Sequence, residues 1–107
     1  MKVNVLGEKY DVIESNSAED AILASDSDGY CDHTTKEIII DTFKPSDNSL
    51  GDLPTYRKQV IRHELVHAFL FESGLGANSW GSNEEIVDWI AAMFPKMLQA
   101  FTEADAV

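Results

Sequence analysis

The sequence predicts an α+β fold, a small antiparallel sheet packed on two metal-bearing helices in one domain spanning residues 1–107. Three observations predict it. Apolar and polar residues alternate over the first fifteen positions, and a second strand-like stretch follows in "GYCDHTTKEIIIDT". Further on, two stretches carry apolar residues at helical spacing, "PTYRKQVIRHELVHAFLFES" and "SNEEIVDWIAAMF". No repeat or linker divides the chain, and 107 residues suffice for one modest core.

Each element has its own signal. Val3 and Val5, then Tyr10 and Val12, lie on either side of Leu6-Gly7-Glu8-Lys9, which predicts a hairpin with Gly7 at its turn. "SAEDAILAS" predicts a short helix with Ser17 as N-cap and Ala21, Ile22 and Leu23 as its buried part. "SDSDG" breaks it as a solvated turn. A second hairpin turns at His33-Thr34-Thr35-Lys36, and β-branched Ile38, Ile39 and Ile40 favour a strand after it. The loop "FKPSDNSLGDLP" leads into the main helix, expected over residues 54–73 and closed by Gly74. After the connector "GLGANSWGS", Ser82 and Glu85 fit a capping box, with the serine at N-cap and the glutamate at N3. Val87, Ile90, Phe94 and Met97 form the apolar face of this last helix, which Pro95 is expected to kink or end, with residues 96–101 able to resume it. "TEADAV", residues 102–107, reads as a frayed, disordered tail.

Composition excludes several classes. With 44% hydrophobic and 25% charged residues, the chain reads as an ordinary soluble domain. It has no apolar run near the roughly 20 residues that span a bilayer, so no membrane association is expected. The N-terminus does not read as a signal peptide, and the lone Cys31 cannot form an internal disulfide, which fits a cytoplasmic location. Eight basic against nineteen acidic side chains give a net charge of −11. Such a surface repels phosphate backbones, so no direct nucleic-acid binding is expected. The acidic excess serves solubility, suits a basic partner or imitates nucleic acid. Nothing in the sequence specifies an oligomeric state.

The chemistry sits in "VIRHELVHAFLFESG", residues 60–74. His63 and His67 are four residues apart, so on a helix they stand one above the other on one face. Two imidazoles so placed can share one zinc ion. Glu64 projects about 100° further round the helix. From there it can reach a water on the metal rather than the metal itself. This is the H-E-x-x-H arrangement, matched by chance roughly once in several hundred chains of this length. A surface pair of histidines is the plain alternative. The apolar neighbours Leu65, Val66, Ala68, Phe69, Leu70 and Phe71 argue against it, because buried imidazoles need partners.

A catalytic zinc takes a third protein ligand. His33 lies far upstream, whereas Glu84, Glu85 and Asp88 open the next helix, which an antiparallel pairing brings back beside the histidines. Glu84 flanks the apolar face and is the preferred ligand. Glu85 points further toward solvent and remains the alternative. Asp88, one turn on, can accept the second N–H of a ligand histidine, or is an exposed helix charge. Tyr30, Tyr56 and His33 are candidates for stabilising an oxyanion or donating a proton, and the sequence selects none of them.

"HELVH" followed by "NEEIVD" resembles the gluzincin class of zinc metallopeptidases, whose second helix carries N-E-x-x-x-D. Asn83, Glu84 and Asp88 match that pattern position by position, which implies Glu84 as the third ligand. The small size, the hairpin ahead of the helix and "EEIVDWIAAMFP" are similar to the ImmA/IrrE-like metallopeptidases, including short phage- and mobile-element-encoded relatives. Val66 stands where such proteins often have glycine. The resemblance implies hydrolysis of a protein or peptide substrate with one zinc per chain. It also implies that the strand edging the cleft, Ile38, Ile39 and Ile40, pairs with an extended peptide. A plain core strand is the other reading of those isoleucines. The rival functions are a non-catalytic acidic interaction protein or inhibitor that keeps a metal, and a metal-dependent hydrolase of another substrate.

Overall fold

The computed structural model describes residues 1–25, 27–43, 51–76 and 78–107. Most of the loop expected ahead of the main helix lies outside them, as do Asp26 of the first turn and Ala77 of the connector.

Strands β1 (Lys2–Val5) and β2 (Glu8–Ser15) form the expected antiparallel hairpin. Its two-residue turn places Leu6 at φ 50° and Gly7 at φ 91°. Positive φ at both positions matches the right-handed twist of the strands, and glycine adopts it without penalty. Helix α1 (Ala21–Ala24) is a single turn capped by Asp20, not Ser17, because the Asp20 carboxylate accepts from the amides of Ile22 and Leu23. Of its expected buried trio only Leu23 is buried. Ile22 is exposed.

Strands β3 (Gly29–Asp32) and β4 (Glu37–Asp41) make the second hairpin, turning at residues 33–36. The sheet is mixed, however, in the order β1-β2-β4-β3, with β2 and β4 parallel and Val12 opposite Ile38. The all-antiparallel expectation is therefore corrected. Ile38, Ile39 and Ile40 explain the correction: they are at most 9% exposed, so β4 is buried on both faces. A continuous apolar run of that kind belongs in the middle of a sheet, with pairing on both sides. The outer edge falls to β3.

Helix α2 (Leu53–Glu72) begins under an Asp52 cap with Pro54 in its first turn. It closes as expected at Gly74, where φ is 91°. The amide of Leu75 bonds to Leu70 O and that of Gly74 to Phe71 O, which satisfies the last carbonyls. Tyr56, Val60, Glu64 and Ala68, spaced by four, turn toward the sheet. Val60 and Ala68 join Val5, Tyr10, Val12, Ile38 and Ile40 in the core, and Tyr56 packs against it. The other side of α2 packs against helix α3 (Glu84–Glu103), which gives a sheet, a middle helix and an outer helix.

One expectation about α3 fails for an identifiable reason. Its N-cap is Asn83, whose side chain accepts from the amides of Glu85 and Ile86, while Ser82 belongs to a preceding 3-10 turn at Trp80–Ser82. Glu85 is thus not half of a capping box. Of the outcomes expected at Pro95, an end is not what occurs: the helix continues to Glu103. A proline at position 95 leaves the carbonyl of Ala91 without its helical donor. Arg62 Nε of α2 supplies a donor to that carbonyl at 2.7 Å. The helix is kept, and α3 is fastened to α2 within reach of the histidines. Thr102 and Glu103, placed in the tail by the sequence, are helical, and Asp105 at φ 55° closes the helix with Ala106 N bonded to Phe101 O.

This clamp has a measurable consequence. Arg62→Met should destabilise the protein by about 1.5–3 kcal/mol, the range for a hydrogen bond from a charged group. Adding Pro95→Ala restores an internal donor for Ala91 O. In chemical denaturation the double variant should lose less than the single effects add up to. Strict additivity would contradict the coupling.

Candidate metal centre and its cleft

His63 and His67 each precede a residue of the buried α2 stripe, Glu64 and Ala68, and face α3. The antiparallel return of the chain brings Glu84 and Asp88 opposite them. The predicted ligand atoms converge. His63 Nε2 and His67 Nε2 are 3.1 Å apart, and each lies 3.0 Å from one oxygen of the Glu84 carboxylate. These three side chains form the metal-competent cluster found among the described residues. Tetrahedral donors at the usual zinc distance of 2.0–2.1 Å stand about 3.3 Å from one another. The donor set therefore fits a zinc-sized cation: two imidazole nitrogens and a carboxylate aim at one point, a concentration of lone pairs that a cation satisfies.

Asp88 Oδ1 accepts from His63 Nδ1 at 2.6 Å. This bond holds the Nδ1–H tautomer and leaves Nε2 as a lone-pair donor directed at Glu84 and His67. Glu85 has no part in the cluster. It is exposed on the same helix turn, and its backbone amide donates to Asn83 Oδ1.

Glu64 is the buried charged residue of the described chain, 7% exposed, with one oxygen 4.0 Å from His63 Nε2. Burial pushes its carboxyl up to about 7, His63 opposes the shift, and the nearby Glu84 and Asp88 carboxylates add to it. A carboxyl titrating near neutrality, beside the three converging donors, is suited to taking and returning a proton.

The cluster opens into a cleft of about 690 Å³ between β3, α2 and the start of α3. Gly29 begins β3 where a side chain would collide, since a Cβ there would stand 2.9 Å from Ile39 O and 3.1 Å from Val60 Cγ1. Its absence lets β3 lie close along α2. The isoleucines expected to edge the cleft do not. β4 is paired on both sides, so Ile38, Ile39 and Ile40 are core, and of the two edge strands, β1 and β3, it is β3 that lines the cleft. Asp28 O accepts from Asp41 N on the β4 side. By strand alternation, the backbone groups of Gly29 and Cys31 point away from β4, toward that edge.

Tyr30, Tyr56 and His33 all line the cleft. Tyr30 donates its hydroxyl to Asp20 at 2.7 Å and Tyr56 donates to Asp28. These bonds raise both phenols to about 12, and each hydroxyl proton is already committed. His33 instead stacks on Phe71, ring centroids 4.0 Å apart. Cys31 also reaches the cleft, but burial and the nearby Glu64 and Asp32 carboxylates push its thiol up to about 12. It stays protonated and is a poor nucleophile or metal ligand. Sequence reasoning missed Arg62, whose role appears only when Pro95 orphans a carbonyl, and Asp28, which spacing alone does not connect to Tyr56.

No family model matches the chain, and no curated protein or solved structure matches it significantly. Among the described residues no helix is long and apolar enough to cross a membrane.

Proposed function

We propose that the protein is a zinc-dependent peptidase, of the gluzincin type that its motifs resemble. One observation carries this reading: the His63, His67 and Glu84 donors converge beside a buried Glu64 in a cleft bordered by a free strand edge. Zinc held by these three residues would acidify a water and polarise a carbonyl. Glu64 accepts the proton of the attacking water and returns it to the departing amine. Asp88 fixes the orientation of His63. The outer edge of β3 holds an extended peptide through its main chain, with Gly29 and Cys31 supplying the backbone groups. A structural metal site in an acidic interaction protein has no use for Glu64, whose buried charge is a cost to the fold.

The test is zinc-dependent proteolysis. The zinc-loaded protein, incubated with a mixed peptide library, should produce new termini detected by mass spectrometry. Chelation should stop their appearance and added zinc should restart it. Full zinc occupancy with no cleavage of any library member would overturn the peptidase reading.

A further inference from the structure

The two ends of the cleft differ in chemistry, and β3 connects them. The strand runs along α2 in the same direction: Tyr56 bonds Asp28, Val60 meets Gly29, and Phe71 stacks on His33. The metal cluster, on His63 and His67, falls between these ends. At the Tyr56 end stands the exposed Asp28, whose carboxylate has Tyr56 on one oxygen, with Asp88 also nearby. At the Phe71 end the walls are Leu70, Phe71, Leu75 and His33. No lysine or arginine lines the cleft among the described residues, in a chain of net charge −11.

We propose that the cleft selects an extended peptide with an apolar residue N-terminal to the scissile bond and a lysine or arginine C-terminal to it, with Asp28 as the specificity-determining residue. The inference rests on the peptidase reading for the position of the bond. The order of the two residues follows from direction. A peptide adding to β3 in the antiparallel sense, the more stable pairing, enters at the Phe71 end and leaves at the Asp28 end. Its apolar side chain meets Leu70, Phe71 and Leu75. A cationic side chain beyond the bond meets Asp28, one oxygen of which carries Tyr56 and the other no partner among the described residues. The surrounding negative field draws cationic peptides in and disfavours acidic ones.

The experiment uses binding, so that it does not depend on turnover. Zinc-loaded Glu64→Gln is titrated, by fluorescence anisotropy, with three labelled peptides: one with leucine before and arginine after the central bond, one with their order reversed, and one with glutamate replacing the arginine. The first should bind about fivefold or more tightly than either other, with the advantage falling as salt rises. Asp28→Asn introduced into that protein should remove most of the arginine preference while leaving zinc content unchanged. Equal binding of the arginine and glutamate peptides, or no binding of any, overturns the proposal. Equal binding of the reversed peptide overturns the direction. Cleavage by the wild type without preference for a basic residue sinks the specificity and leaves the peptidase reading intact. Asp28-dependent binding of the arginine peptide without wild-type cleavage sinks the peptidase reading and leaves the recognition standing.

Discussion

Glu64→Gln should retain a full complement of zinc and lose peptide hydrolysis by about 10²- to 10⁴-fold, the usual contribution of a positioned general base. Glu64 lies next to the ligand cluster but outside it, so the amide removes the proton acceptor and leaves His63, His67 and Glu84 in place. The same substitution should change the stability of the metal-free protein in the opposite sense. A carboxyl raised to about 7 in the folded chain penalises the fold wherever it is ionised there and titrates lower in the unfolded chain. Above pH 7 the penalty is on the order of 3 kcal/mol. It fades as the pH falls toward the ordinary carboxylate range. In the presence of chelator, Glu64→Gln should therefore unfold at higher denaturant than wild type at pH 8, with the gap closing toward pH 5. A variant that keeps wild-type turnover, or one less stable than wild type at pH 8, would contradict the assignment.

The second large effect is on metal affinity. His63→Ala, His67→Ala and Glu84→Ala should each weaken zinc binding by more than 100-fold, because water must replace a donor aimed at the common point. Asp88→Ala should weaken it by about 10- to 100-fold, the usual effect of removing the partner that orients a ligand histidine. Glu85→Ala should leave affinity unchanged, since its side chain faces away from the cluster. Competition titrations with a chromophoric chelator read all five. Zinc retained by Glu84→Ala and lost by Glu85→Ala would move the third ligand one residue along α3 and displace Asp88 from its place in the account.

The parts of this arrangement that were legible in the sequence are local. The histidine spacing and the Glu84 and Asp88 positions are set by the helical repeat, and α2 is bounded by Pro54 and Gly74, residues whose backbone constraints act within a turn. What escaped depends on contacts between distant segments. The parallel pairing of β2 with β4 joins strands separated by α1 and β3, and no alternation pattern specifies it. The triple isoleucine carried the only hint, because a strand apolar at every position is rarely an edge. The N-caps lie one to three residues beyond the serines that the sequence favours, because Ser17, Asp20, Ser82 and Asn83 are all competent caps and backbone geometry chooses among them. Pro95 announces the loss of a donor in the sequence itself. What sequence could not show was that Arg62, on another helix, makes up the loss.

The central claim is that His63, His67 and Glu84 hold a zinc ion in this cleft, and X-ray absorption at the zinc edge of the loaded protein tests it most directly. The account predicts one zinc per chain with nitrogen and oxygen donors near 2.0–2.1 Å, two of them imidazoles, and no sulfur. A shell containing sulfur near 2.3 Å would place Cys31 on the metal, and the absence of any bound zinc would remove the centre altogether. Either result would contradict the account.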